Sequence, residues 1–315
     1  MKTGKRFFIQ VIATFIILFV PVFSFAKNYA DANWRVYEIK SQLLEQGLYD
    51  SANNAFMDLF NTYDYRFAEG ISLVTENIFC NLHKTWQKDS ISIDFYFRRF
   101  ARSYSADNLL NFFCKCADSS TIKKLQSQVI IYDSIFYTSV DTVLMNFVSR
   151  MHERDQKPRM ENDYENMLIA DSLNLIELEK LLQQYGTFPG VRKLGVSGMN
   201  EMKILIHHES EQILDKWYDV LMQLIIDGEF APILIADIID HAIFMNGYPI
   251  NNKWATKYVK YGTAEFKGIC EPVKNIEQTN RWRREIGLPP LEYDIKKRGV
   301  KYDEAEYRKY VQIIE

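Results

Sequence analysis

The chain has 315 residues, 47% of them hydrophobic and 25% charged, with 38 Lys and Arg against 41 Asp and Glu for a net charge of −3. That length suits about two domains of ~100–200 residues each in an ordinary globular protein. The near balance of charge gives no reason to expect a nucleic-acid partner, which needs a clustered excess of Lys and Arg; the largest basic cluster, "RWRREIG", is short and interrupted by Glu285.

The N-terminus comes first. Lys2, Lys5 and Arg6 precede the apolar run "FFIQVIATFIILFV", and "PVFSFA" ends on the small residues Ser24 and Ala26. This is the pattern of a signal peptide over 1–26 cleaved after Ala26, so an exported protein, periplasmic or extracellular, is expected. The run falls short of the ~20 apolar residues that cross a bilayer and is broken by Pro21, so no stable membrane span is expected after cleavage.

Beyond it, apolar positions recur at three and four residues rather than two, which predicts an all-α fold. Helices are expected at about 31–46, 49–62, 66–86, 94–103, 106–117, 121–153, 160–185, 198–227, 232–245, 276–286 and 303–314. "EQGLYDSANNAF" reads as a lone helical hairpin, since no second copy follows one 34-residue period later. "ISIDFYF" alternates like a strand but is taken as a loop leading into helix. The stripe Met202, Leu205, Ile206, Ile213, Trp217, Leu221 and Leu224 predicts one long buried helix. With 232–245 it would form a long helical hairpin turning at Gly228–Phe230. A boundary near 150 divides an aromatic-rich helical N-terminal domain, 27–150, from a mostly helical C-terminal domain, 151–315, in which polar groups cluster. Cys80, Cys114, Cys116 and Cys270 lack metal-ligand spacing and read as reduced core thiols.

The polar clusters begin with "MHERDQKPR". Asp155 and Arg159 are neighbours at i, i+4, and His152 lies one turn earlier. On a surface such a pair contributes only ~0.3–0.5 kcal/mol. In a cleft, Arg159 could take a carboxylate or phosphate while Asp155 orients it and Gln156 adds an amide. A site wall of that kind predicts that Arg159→Ala leaves the melting temperature almost unchanged. His208 flanks the apolar stripe, either as a boundary residue or as a general acid or base. "KYGTAEF" offers Tyr261 and Thr263 hydroxyls around a turn at Gly262, or an ordinary loop. His207–Glu211 and Asp237–His241 are also i, i+4 pairs. In a regular hairpin they would sit ~15 Å apart along the axis, so no metal site and no cofactor are expected.

From 150 to about 295 the chain resembles a bacterial family catalogued as domain of unknown function 6624. The resemblance rests on Asp155, Gln156 and Arg159; Asp171 and Asn174; Gly186, Pro189 and Gly195; His208; Ala236 and Asp240; Tyr261, Gly262 and Thr263; and Arg284, Gly287, Leu288 and Pro290. The sequence departs from the family's pattern at His241, where an Arg is usual, at Ala264, where a Gln is usual, and in the added "NNKWATKYVK". The resemblance implies a site at the shared polar residues but no reaction. Two functions are carried forward. In one, an envelope protein uses its C-terminal domain to bind a small anionic or polar ligand or a protein partner, through Asp155, Gln156, Arg159, Tyr261, Gly262 and Thr263. In the other, a metal-independent hydrolase or lyase uses His208 for proton transfer, with Asp240 as a second catalytic candidate.

Overall fold

The structure, a computed structural model, describes residues 27–63, 96–113, 118–246, 253–256, 258–259, 268–270 and 272–314. The helices among them are α1 (Tyr29–Ile39), α2 (Tyr49–Thr62), α3 (Ala106–Phe113), α4 (Ser119–Gln126), α5 (Val129–Ser139), α6 (Thr142–Glu161) and α7 (Tyr164–Tyr185). They continue with α8 (Val191–His207), α9 (Ser210–Gln212), α10 (Tyr218–Ile226), α11 (Pro232–Met245), α12 (Ile276–Glu285), α13 (Leu291–Arg298) and α14 (Glu304–Ile314). Among the described residues the paired strands are β1 (Tyr258–Val259) and β2 (Ile269–Cys270), antiparallel, with an isolated parallel bridge between Ile269 and Lys301, so the class is all-α as the periodicity predicts. No helix among the described residues is long and apolar enough to cross a membrane. The expected leader 1–26, the helix at 66–86 and Cys80, Cys114 and Cys116 lie outside the described residues.

Side-chain caps set five of the starts. Asn28, Asp118, Asp141, Asp163 and Asn275 each accept a backbone N–H from the first turn of the helix that follows. Asp141 explains the first difference from expectation. Its carboxylate takes the Leu144 N–H at 2.9 Å and starts α6, so the segment read as one helix over 121–153 breaks there, and it breaks again at Ser127–Gln128 between α4 and α5. The next helix starts at Tyr164 rather than 160, because α6 ends on Asn162 in the left-handed region, φ 56°. The expected helix 198–227 is preceded in α8 by a turn from Val191 that breaks at Gly195, φ 65°, and beyond that kink it is interrupted twice. His208 and Glu209 leave the helical path after α8, and a π turn at Ile213–Trp217 joins α9 to α10. Short α13 and the β1–β2 pair were not expected. Tyr96 and Phe97, the end of the alternating stretch, are helical; the rest of that stretch is outside the described residues.

The site is positioned by three helices. α6 packs along α8 on one side and α7 on the other, and α8 also packs on α11. Beneath them the main apolar core runs from Tyr29 to Leu288 and takes in residues on both sides of position 150, which itself falls inside α6. Trp217 is fully buried there, edge-on to Phe188 with ring centres 5.0 Å apart. A smaller cluster of Ala255, Cys270, Val273, Leu291 and Val300 sits under the C-terminal helices, and the buried Cys270 thiol donates to the Ala255 carbonyl at 3.8 Å.

Candidate functional site

α6 contributes Asp155, Gln156 and Arg159, which share a face because residues three and four apart stack on a helix. α7 brings Asp171 and Asn174 against them. The interruption after α8 brings His208 and Glu209. Had α8 continued straight, its 3.6-residue period would have carried these two side chains elsewhere.

Asp155 is the centre of the arrangement and is 1% exposed. Its Oδ1 lies 2.9 Å from His208 Nδ1, and its Oδ2 accepts from Gln156 Nε2 at 2.5 Å. Arg159 donates to it from Nε at 3.2 Å and Nη2 at 3.1 Å, and the same Nη2 donates to Asp171. A second tie between the helices runs beside this one: Arg154 donates to Asn174 and Glu177, and Asn174 to the Met151 carbonyl.

Burial pushes the Asp155 carboxyl up, but the bonds from His208, Arg159 and Gln156 outweigh it and hold the group well below the usual carboxylate range. An ionised carboxylate has no proton to give, so His208 Nδ1 must be the donor in this bond. That fixes the neutral ring as the Nδ1–H tautomer and leaves Nε2 with its lone pair. Among the described residues no hydrogen bond engages His208 Nε2, and the side chain is 23% exposed.

Glu209 was not singled out in the sequence. Burial, and then the Asp171 and Asp155 carboxylates beside it, push its carboxyl up to about 7, with Arg159 pulling the other way. Asp171 is likewise raised by burial, against the attraction of Arg159. The cluster therefore sets three carboxyl groups against one guanidinium, with a histidine at its edge. Sequence offered one signal for Glu209, its position next to His208. The expected unbroken helix hid its burial.

Asp240 is not part of this cluster's bonding. Also 1% exposed, it accepts from the Lys253, Trp254 and Thr256 N–H groups at 3.0, 3.4 and 3.1 Å and from Thr256 Oγ1 at 2.9 Å. Arg283 and Arg298 hold the same segment by its carbonyls, at Trp254, Ala255 and Thr256. The Asp240 carboxylate thus anchors a backbone segment in which Ala255 adopts φ 55°. Tyr261, Gly262 and Thr263, with Ala264, lie outside the described residues.

The spacing argument for the two i, i+4 pairs needs correction. The His207 and His241 rings stack 4.1 Å apart, and Lys203 Nζ lies 3.3 Å from Asp237. The ~15 Å separation assumed a regular hairpin. With the chain broken at His208–Glu209, α8 itself packs on α11 and sets His207 against His241. Among the described residues, however, the set whose ligand atoms could reach one ion is Asp155, Asp171 and His208, with those atoms within 4.8 Å of one another. Arg159 donates to both of those carboxylates, so a cation would have to displace the guanidinium.

No known family model, curated protein or solved structure matches the chain.

Proposed function

We propose that Asp155, Arg159, Asp171, His208 and Glu209 form a proton-transfer site for a small polar substrate, the centre of a hydrolase or lyase. The observation that carries this reading is the His208–Asp155 bond: an imidazole held through Nδ1 by a buried carboxylate, with no hydrogen bond to Nε2 among the described residues. An imidazole titrates near neutrality and can take a proton from a substrate group or water at Nε2. Asp155 stabilises the imidazolium that results, as a buried carboxylate does for a base histidine. Glu209 holds a proton close to neutral pH and is suited to return one. Arg159 fixes both aspartates and keeps Asp155 ionised.

Two measurements test this. In a 15N-histidine NMR spectrum, His208 should be the Nδ1–H tautomer in the native chain and lose that preference in Asp155→Asn. In a panel of ester, amide, phosphoester and glycoside substrates, any activity found should fall about 10²–10⁴-fold in His208→Asn. A native Nε2–H tautomer, or an activity indifferent to His208, would remove the proposal.

A second reading is binding without chemistry. Its support is that Arg159 uses Nε and Nη2 on the two aspartates, leaving Nη1 for a ligand carboxylate or phosphate. Calorimetry with acetate and inorganic phosphate separates the two, since binding lost in Arg159→Lys but unaffected by His208→Asn favours this one. Export to the periplasm or medium, through the segment 1–26, and membership of the family-like group belong to the proposal as well. The polar residues meeting at the site are those quoted for that resemblance, Glu209 apart. A ligand or envelope protein would be the partner.

A further inference from the structure

The outer face of α7 is apolar and open. Ile169, Leu173 and Ile176 are 51%, 44% and 52% exposed, while the opposite face buries Ala170, Asn174, Leu178 and Leu181. Isolated apolar residues on a surface are ordinary, but here they form one line along a single helix. Exposed Glu165 stands at one end of that line and exposed Lys180 at the other. Neither makes an ion pair among the described residues.

The order along the line is Glu165, Ile169, Ser172–Leu173, Ile176, Lys180, with steps of four, three, one, three and four residues. That order is symmetric about the midpoint between Ser172 and Leu173. Laid antiparallel on its own copy, the line sets Glu165 against Lys180, Ile169 against Ile176 and Ser172 against Leu173, each pair occurring twice. A two-fold contact needs such a self-complementary patch. From these observations we infer that α7 is a homodimer seam, in which a second copy of this chain packs its α7 antiparallel on the first. The inference is independent of the proton-transfer reading, because Asp171 turns away from the seam toward Arg159.

From Glu165 to Lys180 is about 22 Å at 1.5 Å per residue. One helix pair of that length buries less than the roughly 1,200 Å² of a standard interface, so the dimer is weak and concentration-dependent. Sedimentation velocity on the purified chain should show a mass that climbs from one copy toward two with concentration. Ile176→Glu should raise the dissociation constant at least about tenfold. Glu165→Lys alone should weaken association, and Glu165→Lys combined with Lys180→Glu should restore it, because the exchanged charges face each other again. Oxidation should link Ser172→Cys chains together but not Glu165→Cys chains, whose added thiols are about 22 Å apart in the antiparallel register. A chain that stays monomeric throughout, a dimer indifferent to Ile176→Glu, or ready linkage through Glu165→Cys would overturn the inference.

Discussion

Arg159 holds two carboxylates on two helices, and one of them is almost fully buried. Taking the guanidinium away leaves Asp155 charged, with only His208 and Gln156 to compensate it. Arg159→Ala is therefore expected to cost about 1–3 kcal/mol, visible as a lower melting temperature. The unchanged melting expected of a plain site wall is revised here, since the residue also ties α6 to α7. An unchanged melting curve would show that Asp155 needs no such partner.

Glu209 gives a second expectation at this scale, and its sign follows from its raised affinity for a proton. Below its ordinary value of 4.5, the carboxyl is protonated in folded and unfolded chains alike, and pH has no effect through it. Between 4.5 and about 7 the unfolded chain gives up the proton first, so stability falls as pH rises; above about 7 the loss is complete. Allowing for solvent screening, the fall is about 1–2 kcal/mol. Glu209→Gln should flatten it and make the chain more stable than the native protein at pH 8, measured by denaturant titration at pH 5 and pH 8. Asp155 acts in a different window and with the opposite sign. Its carboxyl is held low, so its contribution is present above 3.8 and lost in stronger acid.

At the level of elements, two junctions carry the packing. Gly287 follows α12 at φ 81°, and a Cβ there would meet the Ala30 carbonyl oxygen of α1 at 2.3 Å. Backbone cannot yield as a side chain can, and the left-handed conformation adds its own strain. Gly287→Ala should cost about 2–4 kcal/mol, read from the denaturation midpoint. Trp217 closes the π turn and is fully buried on Phe188. Trp217→Ala should cost about 3–5 kcal/mol in the same titration, and a loss under about 1 kcal/mol would mean that the ring packs elsewhere.

For the whole molecule, the main core links α1 to the loop after α12, and the Gly287–Ala30 contact ties near-terminal segments together. The described chain should therefore unfold in one transition, with tryptophan fluorescence and far-UV circular dichroism coinciding. Two separated transitions would instead support the division expected near 150.

What could be read without the fold was local. Helical periodicity is set by neighbours three and four residues apart, so α2 and α11 fall where the pattern puts them, and Asp155 and Arg159 share a face by spacing alone. The burial of Trp217 follows from its place in an apolar stripe. Long-range placement was different, because it depends on where a helix stops. Nothing in the periodicity marks the interruption at His208–Glu209, which is apolar-patterned on both sides. Yet that break turns His208 onto Asp155, brings Glu209 beside two aspartates and lets His207 stack on His241. Asp240 shows the same limit, since its carboxylate is committed to backbone groups 13 to 16 residues away. The sequence by itself determined the helices and the faces their side chains share. The tertiary structure decided which carboxylates are buried, which are bonded and which imidazole nitrogen the Asp155 carboxylate engages, because burial and hydrogen bonding are settled only when separate helices meet.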